Sequence, residues 1–133
     1  MGEIELFNPP ALPAPSGYAH AARASGLVFV SGQIGCDESG RVPEPADLPR
    51  QFERAIRNVA TALSAAGSGT EDVLKITYLV TDVAAYRRER RAIGEAYRSV
   101  FGRHYPASTL LEVKALFEPD ALVEIECVAV RRE

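Results

Sequence analysis

"YPASTLLEVKALFEPDALVEIECVAVR", residues 105–131, decides the fold. It reads as two strands, over 108–116 and 121–131, joined by a turn at Pro119 and Asp120. Alternation puts Val123, Ile125, Cys127 and Ala129 on one face of the last strand, and Leu122, Glu124, Glu126, Val128 and Val130 on the other. If helices cover the first face, the second is left apolar yet carries two carboxylates. Such a face fits a subunit interface lining a cleft better than it fits open water.

Working outward, "DVLKITYLVTDV" (72–83) is rich in β-branched residues and apolar on both sides, the pattern of a strand covered on both faces. Tyr86, Ile93, Tyr97 and Phe101 then form the stripe of a helix that Gly102 ends. Leu48, Phe52, Ile56, Val59 and Leu63 stand at helical spacing, which predicts an amphipathic helix of about 20 residues from Asp47 to Gly67. "YAHAARASGLVFVSGQIG" (18–35) reads as strand, turn, strand, with the turn at Ala24-Ser25-Gly26 and the close at Gly32 and Gly35. "NPPALPAP" (8–15) is too rich in proline for a helix, so residues 1–15 are expected to be an extended arm. The order is ββαβαββ over a single domain, 1–133: an α+β chain whose two helices pack on one face of one sheet.

Composition narrows the function classes. With 15 basic and 18 acidic side chains the net charge is −3, which gives no electrostatic reason to seek nucleic acid or an anionic membrane. No basic start leads into an apolar stretch and no run approaches ~18 apolar residues, so a cytoplasmic protein is the default. Cys36 and Cys127 match no zinc spacing, and Cys127 alternates with core positions. His20 and His104 have no ligand-spaced partner, so neither a metal nor another cofactor is expected. "GSGT" (67–70) follows a helix and reads as a helix stop, not a phosphate cradle. "RRERR" (87–91) reads as a solvated helix face. RNA contact through Arg87, Arg88, Arg90 and Arg91 would lack a stacking surface and a histidine pair for cleavage.

"LVFVSGQIG" (27–35), "VLKITYLVTDV" (73–83), "YPAS" (105–108) and "ALVEIECVAVR" (121–131) together resemble, in order and near-spacing, the RidA/YjgF family of small enamine and imine deaminases. The resemblance covers about residues 12–131 and implies a chorismate-mutase-like subunit, assembled as a homotrimer with sites in the clefts between subunits. It further implies an arginine that grips the substrate carboxylate, where bidentate pairing is the chemical reason for a guanidinium. Here Ser108 stands at that position, as in family subgroups that lack the arginine, and one neutral hydroxyl grips a carboxylate poorly. Deamination of simple 2-imino acids is thereby put in question.

Glu124 matches the family's water-positioning glutamate, with one extra residue in the turn around Phe117-Glu118-Pro119. Its own chemistry agrees: a carboxylate half-buried at an interface has a raised pKa unless it meets a donor, which suits proton transfer. A structural hydrogen bond is the alternative. Tyr18 and Gly32 match substrate-binding positions, and Ser108 and Thr109 offer hydroxyls to a ligand or simply begin a strand. Arg103 and His104 stand where either could bring a basic group to the cleft, or merely complement a helix terminus. His20 shares a side with Tyr18, and Glu126 reads as a flanking acid. The implied function is hydrolysis or tautomerisation of a reactive enamine, imine or related small metabolite. The alternatives are a non-catalytic trimer that binds a metabolite and, more distantly, an endoribonuclease.

Overall fold

A computed structural model describes residues 3–132. Six strands form one mixed sheet: β1 (Glu5–Phe7), β2 (Ala21–Ala24), β3 (Leu27–Ile34), β4 (Val73–Val80), β5 (Ala107–Glu112) and β6 (Val123–Val130), in the spatial order β1-β2-β3-β6-β4-β5. The helices are α1 (Leu48–Ala65), α2 (Val83–Arg88) and α3 (Arg90–Phe101), with a short 3-10 turn at Thr70–Asp72. The architecture is the expected α+β one, with an additional strand and an additional helix. Among the described residues no helix is long and apolar enough to cross a membrane.

The helix-facing core follows the predicted alternation. Val123, Ile125, Cys127 and Ala129 are all buried, against Phe52, Ile56, Val59 and Leu63 of α1. Asp47 caps α1 by accepting from the Arg50 N–H at 3.1 Å, which fixes where the helix begins. Ser25 (φ 54°) and Gly26 (φ 78°) both take positive φ, so β2 and β3 meet in a tight two-residue turn whose twist suits the hairpin.

Three expectations change. Residues 5–7 of the expected arm are an edge strand, because Glu5 pairs with the Arg23 guanidinium at 2.9 Å, and that guanidinium lies 4.7 Å over the Phe7 ring. Further along the arm Leu12 is 3% exposed and belongs to the core. The second helix is two helices broken at Glu89, inside the basic run, and Asp82 caps the first of them through the Ala84 and Ala85 N–H groups. Finally, β5 and β6 do not pair with each other: β4 lies between them, parallel to β5 and antiparallel to β6. A parallel pair needs a crossover, and α2 and α3 supply it.

The other face of the sheet carries no helix. Leu6, Ala22, Phe29 and Val128 stand in register as one row across four strands, and Phe29 is 51% exposed. Beside it run a polar row, Thr109-Thr77-Glu126, and a mixed row, Leu111-Leu79-Glu124-Ile34.

Candidate functional site

The mixed row ends in a cleft of about 420 Å³ walled by Tyr18, Ser31, Gly32, Ile34, Glu124 and, across the mouth, Ser16, Phe117 and Glu118. Its geometry follows from β3. The β3/β6 register shifts between Val30 and Gln33, which makes room for Ser31 and Gly32 beside β6. The space a Cβ on Gly32 would occupy is taken by Glu124, whose Cδ would lie only 2.7 Å away. Glycine is therefore required there by close approach of a side chain. Ser31 donates its hydroxyl to the Ala19 carbonyl at 2.5 Å, holding the segment that carries Tyr18.

Electrostatics single out Glu124. Burial, and secondarily the charge of Glu126, push its carboxyl above the ordinary value of 4.5. Burial, then Cys36 and Glu124, raise the Tyr18 phenol. The residues lining the cleft include two acids, Glu118 and Glu124, and no base. One half-buried carboxyl beside a phenol can take a proton from water and return it to a leaving nitrogen.

Of the residues expected at the site, Tyr18, Gly32 and Glu124 come together. Ser108 does not: it pairs in register with the inward-facing Ile76, while Glu124 pairs with Leu79 on the opposite face of the sheet. Thr109 lies on the open face, where its hydroxyl accepts from the Lys75 ammonium at 2.8 Å. Arg103 is exposed beyond Gly102 and does not line the cleft. His104 is not free to swing, since its Nε2 donates to the Val73 carbonyl at 2.8 Å and ties the exit of α3 to β4. Glu126 is exposed in the polar row.

His20 is buried just before β2, so it is neither a partly exposed strand residue nor free to reach a ligand. Its Nε2 donates to the Pro13 carbonyl at 2.7 Å and its Nδ1 accepts from the Gln33 amide at 3.1 Å. The ring stands edge-on to Tyr18, 5.3 Å between centroids, so His20 supports the site tyrosine from behind. Cys127 is buried in the core, where burial and Glu126 push its thiol up to about 12, an unreactive value. Among the described residues no group of three or more His, Cys, Asp or Glu side chains is placed to hold a metal ion.

Sequence reasoning missed Gln51. Fully buried in α1, it donates to the Glu44 and Asp120 carbonyls at 2.8 and 3.0 Å and accepts from the Leu122 N–H at 2.7 Å. It thus pins the loop that carries Phe117 and Glu118. The signal was a glutamine on an otherwise apolar helix stripe. A Cβ on Gly35 would lie 2.7 Å from the Gln51 Cα, so α1 can approach this part of the chain only over a glycine.

Comparison with known proteins agrees with this architecture. The family model described as Endoribonuclease L-PSP matches residues 9–131. A RutC family protein of Pyrococcus abyssi is 33% identical over 133 residues, 98% of this chain and 99% of its own. The 2-iminobutanoate/2-iminopropanoate deaminase of Rattus norvegicus is 32% identical over 114 residues, 86% of this chain and 80% of its own. Among solved structures, E. coli TdcF with bound serine superposes with a TM-score of 0.80 at 31% identity, covering 96% of this chain and 99% of that one. The sheet, the glycine-backed glutamate and these matches together establish that the chain belongs to the Endoribonuclease L-PSP family, the RidA/YjgF family that its four motifs resemble.

Proposed function

We propose that the chain assembles through its open sheet face into a homotrimer, and that the Glu124 cleft, completed by a neighbouring copy, hydrolyses a reactive imine or enamine in the cytoplasm. The observation that carries this reading is Glu124 itself, half-buried against Gly32 beside Tyr18, with burial raising its carboxyl above the ordinary value. In the step proposed, water adds through oxygen to the imine carbon while Glu124 takes the water proton. The proton passes to the nitrogen, giving a carbinolamine; its hydroxyl then yields its own proton, by way of Glu124, to the nitrogen as the carbon–nitrogen bond breaks, and a carbonyl compound and ammonia leave. No cofactor takes part in this scheme.

The trimer is supported by the apolar row Leu6-Ala22-Phe29-Val128, which is left uncovered in the single chain. It is also supported by the separation of Ser108 from Glu124 on opposite sheet faces, because only a second copy could bring such positions into one site. Two observations weigh against simple 2-imino acids as preferred substrates: Ser108 brings no charge, and the cleft residues of this chain are acidic. A substrate whose reacting nitrogen is cationic and whose carboxylate is absent or remote fits better. Ser108 also favours a second reading, a trimer that binds a metabolite without turning it over.

Ammonia release from a panel of imines and enamines, with and without a carboxylate beside the reacting carbon, tests the proposal on native protein and on Glu124→Gln. Turnover of a member without that carboxylate, reduced ~100-fold or more in Glu124→Gln at unchanged oligomeric mass, supports it. Saturable binding with no ammonia from any member supports the non-catalytic reading instead.

A further inference from the structure

The corner between α2 and α3 concentrates the positive charge of the chain. Residues 87–91 hold Arg87, Arg88, Arg90 and Arg91 against Glu89 alone, a local charge of +3, whereas the rest of the chain holds 11 basic and 17 acidic side chains, a charge of −6. All four arginines are exposed, and none makes an ion pair among the described residues, although Arg23, Arg41, Arg54, Arg57 and Arg132 each do. Arg90 also lines the cavity that holds Ser108, which leaves Arg87, Arg88 and Arg91 as cations with no place in the proposed site.

The corner is built to hold its shape. α2 hands over to α3 at Glu89 without a loop: the Glu89 N–H donates to the Ala85 carbonyl, and the Glu89 carbonyl accepts from the Ile93 N–H, both at 3.0 Å. On one side Tyr86 packs edge-on against Phe52 of α1, 6.4 Å between ring centroids, and on the other Ile93 is buried in the core. Holding the arginines there is unfavourable for the chain by itself. Like charges this close repel one another, and Arg90 and Arg91 stand in the first turn of α3, where the helix dipole disfavours a cation and no acid compensates. The Glu89 side chain makes no capping bond there. Since no described residue neutralises these guanidinia, the charge that suits them comes from outside the chain.

We propose that this corner docks a short acidic segment of a partner protein, its carboxylates held by Arg87, Arg88 and Arg91. Apart from Lys75 and Lys114 every basic side chain is an arginine, and the guanidinium fork pairs with a carboxylate through two parallel hydrogen bonds. The run holds no aromatic residue and Tyr86 beside it is half-buried, so the corner offers no free ring on which a nucleic-acid base could stack. Exposed charges act over ~8 Å at physiological salt. A short peptide stays within that reach of the corner, whereas a long nucleic acid or a membrane surface would also lie against the acidic remainder of the chain. The corner belongs to the helix layer, away from the open sheet face, and docking there does not depend on the activity proposed for Glu124.

Fluorescence anisotropy of labelled hexaglutamate on the intact protein tests it, with hexaglutamine, a uridine oligonucleotide of equal charge and phosphatidylserine vesicles as competitors. Saturable hexaglutamate binding that weakens with added salt is expected, with no competition from hexaglutamine, and with the oligonucleotide and the vesicles about tenfold weaker or more. Arg87→Gln, Arg88→Gln and Arg91→Gln should each weaken hexaglutamate about threefold, because exposed charge pairs are individually weak, and the triple variant about thirtyfold. Arg57→Gln should change nothing, since that guanidinium is already paired with Glu53 at 3.1 Å. The three corner arginines are exposed and hold no ion pair among the described residues, so their variants keep the fold. No saturable hexaglutamate binding, an affinity unchanged in the triple variant, or an equal loss in Arg57→Gln would overturn the proposal. The oligonucleotide or the vesicles binding as tightly as hexaglutamate would assign the corner to another class of partner and overturn it equally.

Discussion

The Glu124 carboxyl occupies the space a side chain on Gly32 would need: a Cβ there would meet its Cδ at 2.7 Å and its Cγ at 2.9 Å. A strand glycine and a glutamate on the neighbouring strand are in this way one unit. Gly32→Ala should therefore displace the carboxyl while leaving the sheet in place. The expected outcome is a loss of turnover of about tenfold or more with a stability cost of about 1 kcal/mol. Kinetics alongside thermal melts check it, and unchanged turnover would mean that the Glu124 position is not critical.

Glu124 also makes a prediction about pH. Its folded-state pKa is raised above the ordinary 4.5, chiefly by burial, so the folded chain disfavours the charged form. Below pH 4.5 the carboxyl is protonated in folded and unfolded chains alike and costs nothing. As pH rises past that value the unfolded chain loses the proton first, and the penalty on folding grows until the folded pKa is passed. Glu124→Gln should accordingly melt higher than native protein at pH 7 and converge with it in acid. A Gln variant less stable at pH 7 would show that the charged form is held by a favourable partner.

Gln51 joins α1 to the loop carrying Phe117 and Glu118 through three hydrogen bonds to backbone groups. Gln51→Leu removes the partner of all three and should destabilise by about 2–3 kcal/mol. Hydrogen exchange at the Leu122 amide should rise at the same time. Protection of that amide unchanged from native would contradict the clamp.

The open sheet face predicts association. Phe29→Glu places a charge in the middle of the Leu6-Ala22-Phe29-Val128 row, on a face that in one chain is uncovered. Light scattering should report a trimer for native protein and a monomer for the variant. A monomeric native protein would remove the proposed assembly.

Much of this could be read in the sequence because it is periodic. Alternation along residues 121–131 sorted the last strand correctly, and the four-three spacing from Leu48 to Leu63 placed α1. What escaped was set by tertiary partners. The β1 strand is only three residues long and exists because Arg23 serves Glu5, Phe7 and the Ala66 carbonyl at once. Placement of β4 between β5 and β6 is a question of topology, which local pattern does not encode. At the site, Tyr18, Gly32 and Glu124 emerged from strand pattern and motif together, but Ser108 was assigned a role on sequence position and lies on the other face of the sheet. Gln51 looks unremarkable in the sequence, and His20 reads there only as a neighbour of Tyr18, because their partners are distant backbone carbonyls.

The most direct measurement is a mutant cycle on a freshly generated 2-imino acid, following ammonia and 2-oxo acid for native protein, Ser108→Arg, Glu124→Gln and the double variant. If Glu124 handles the proton and the missing guanidinium limits this substrate, native protein is slow, Ser108→Arg gains about tenfold or more, and the double variant loses the gain. Native protein already fast, with Glu124→Gln equally fast, would contradict the account at its centre.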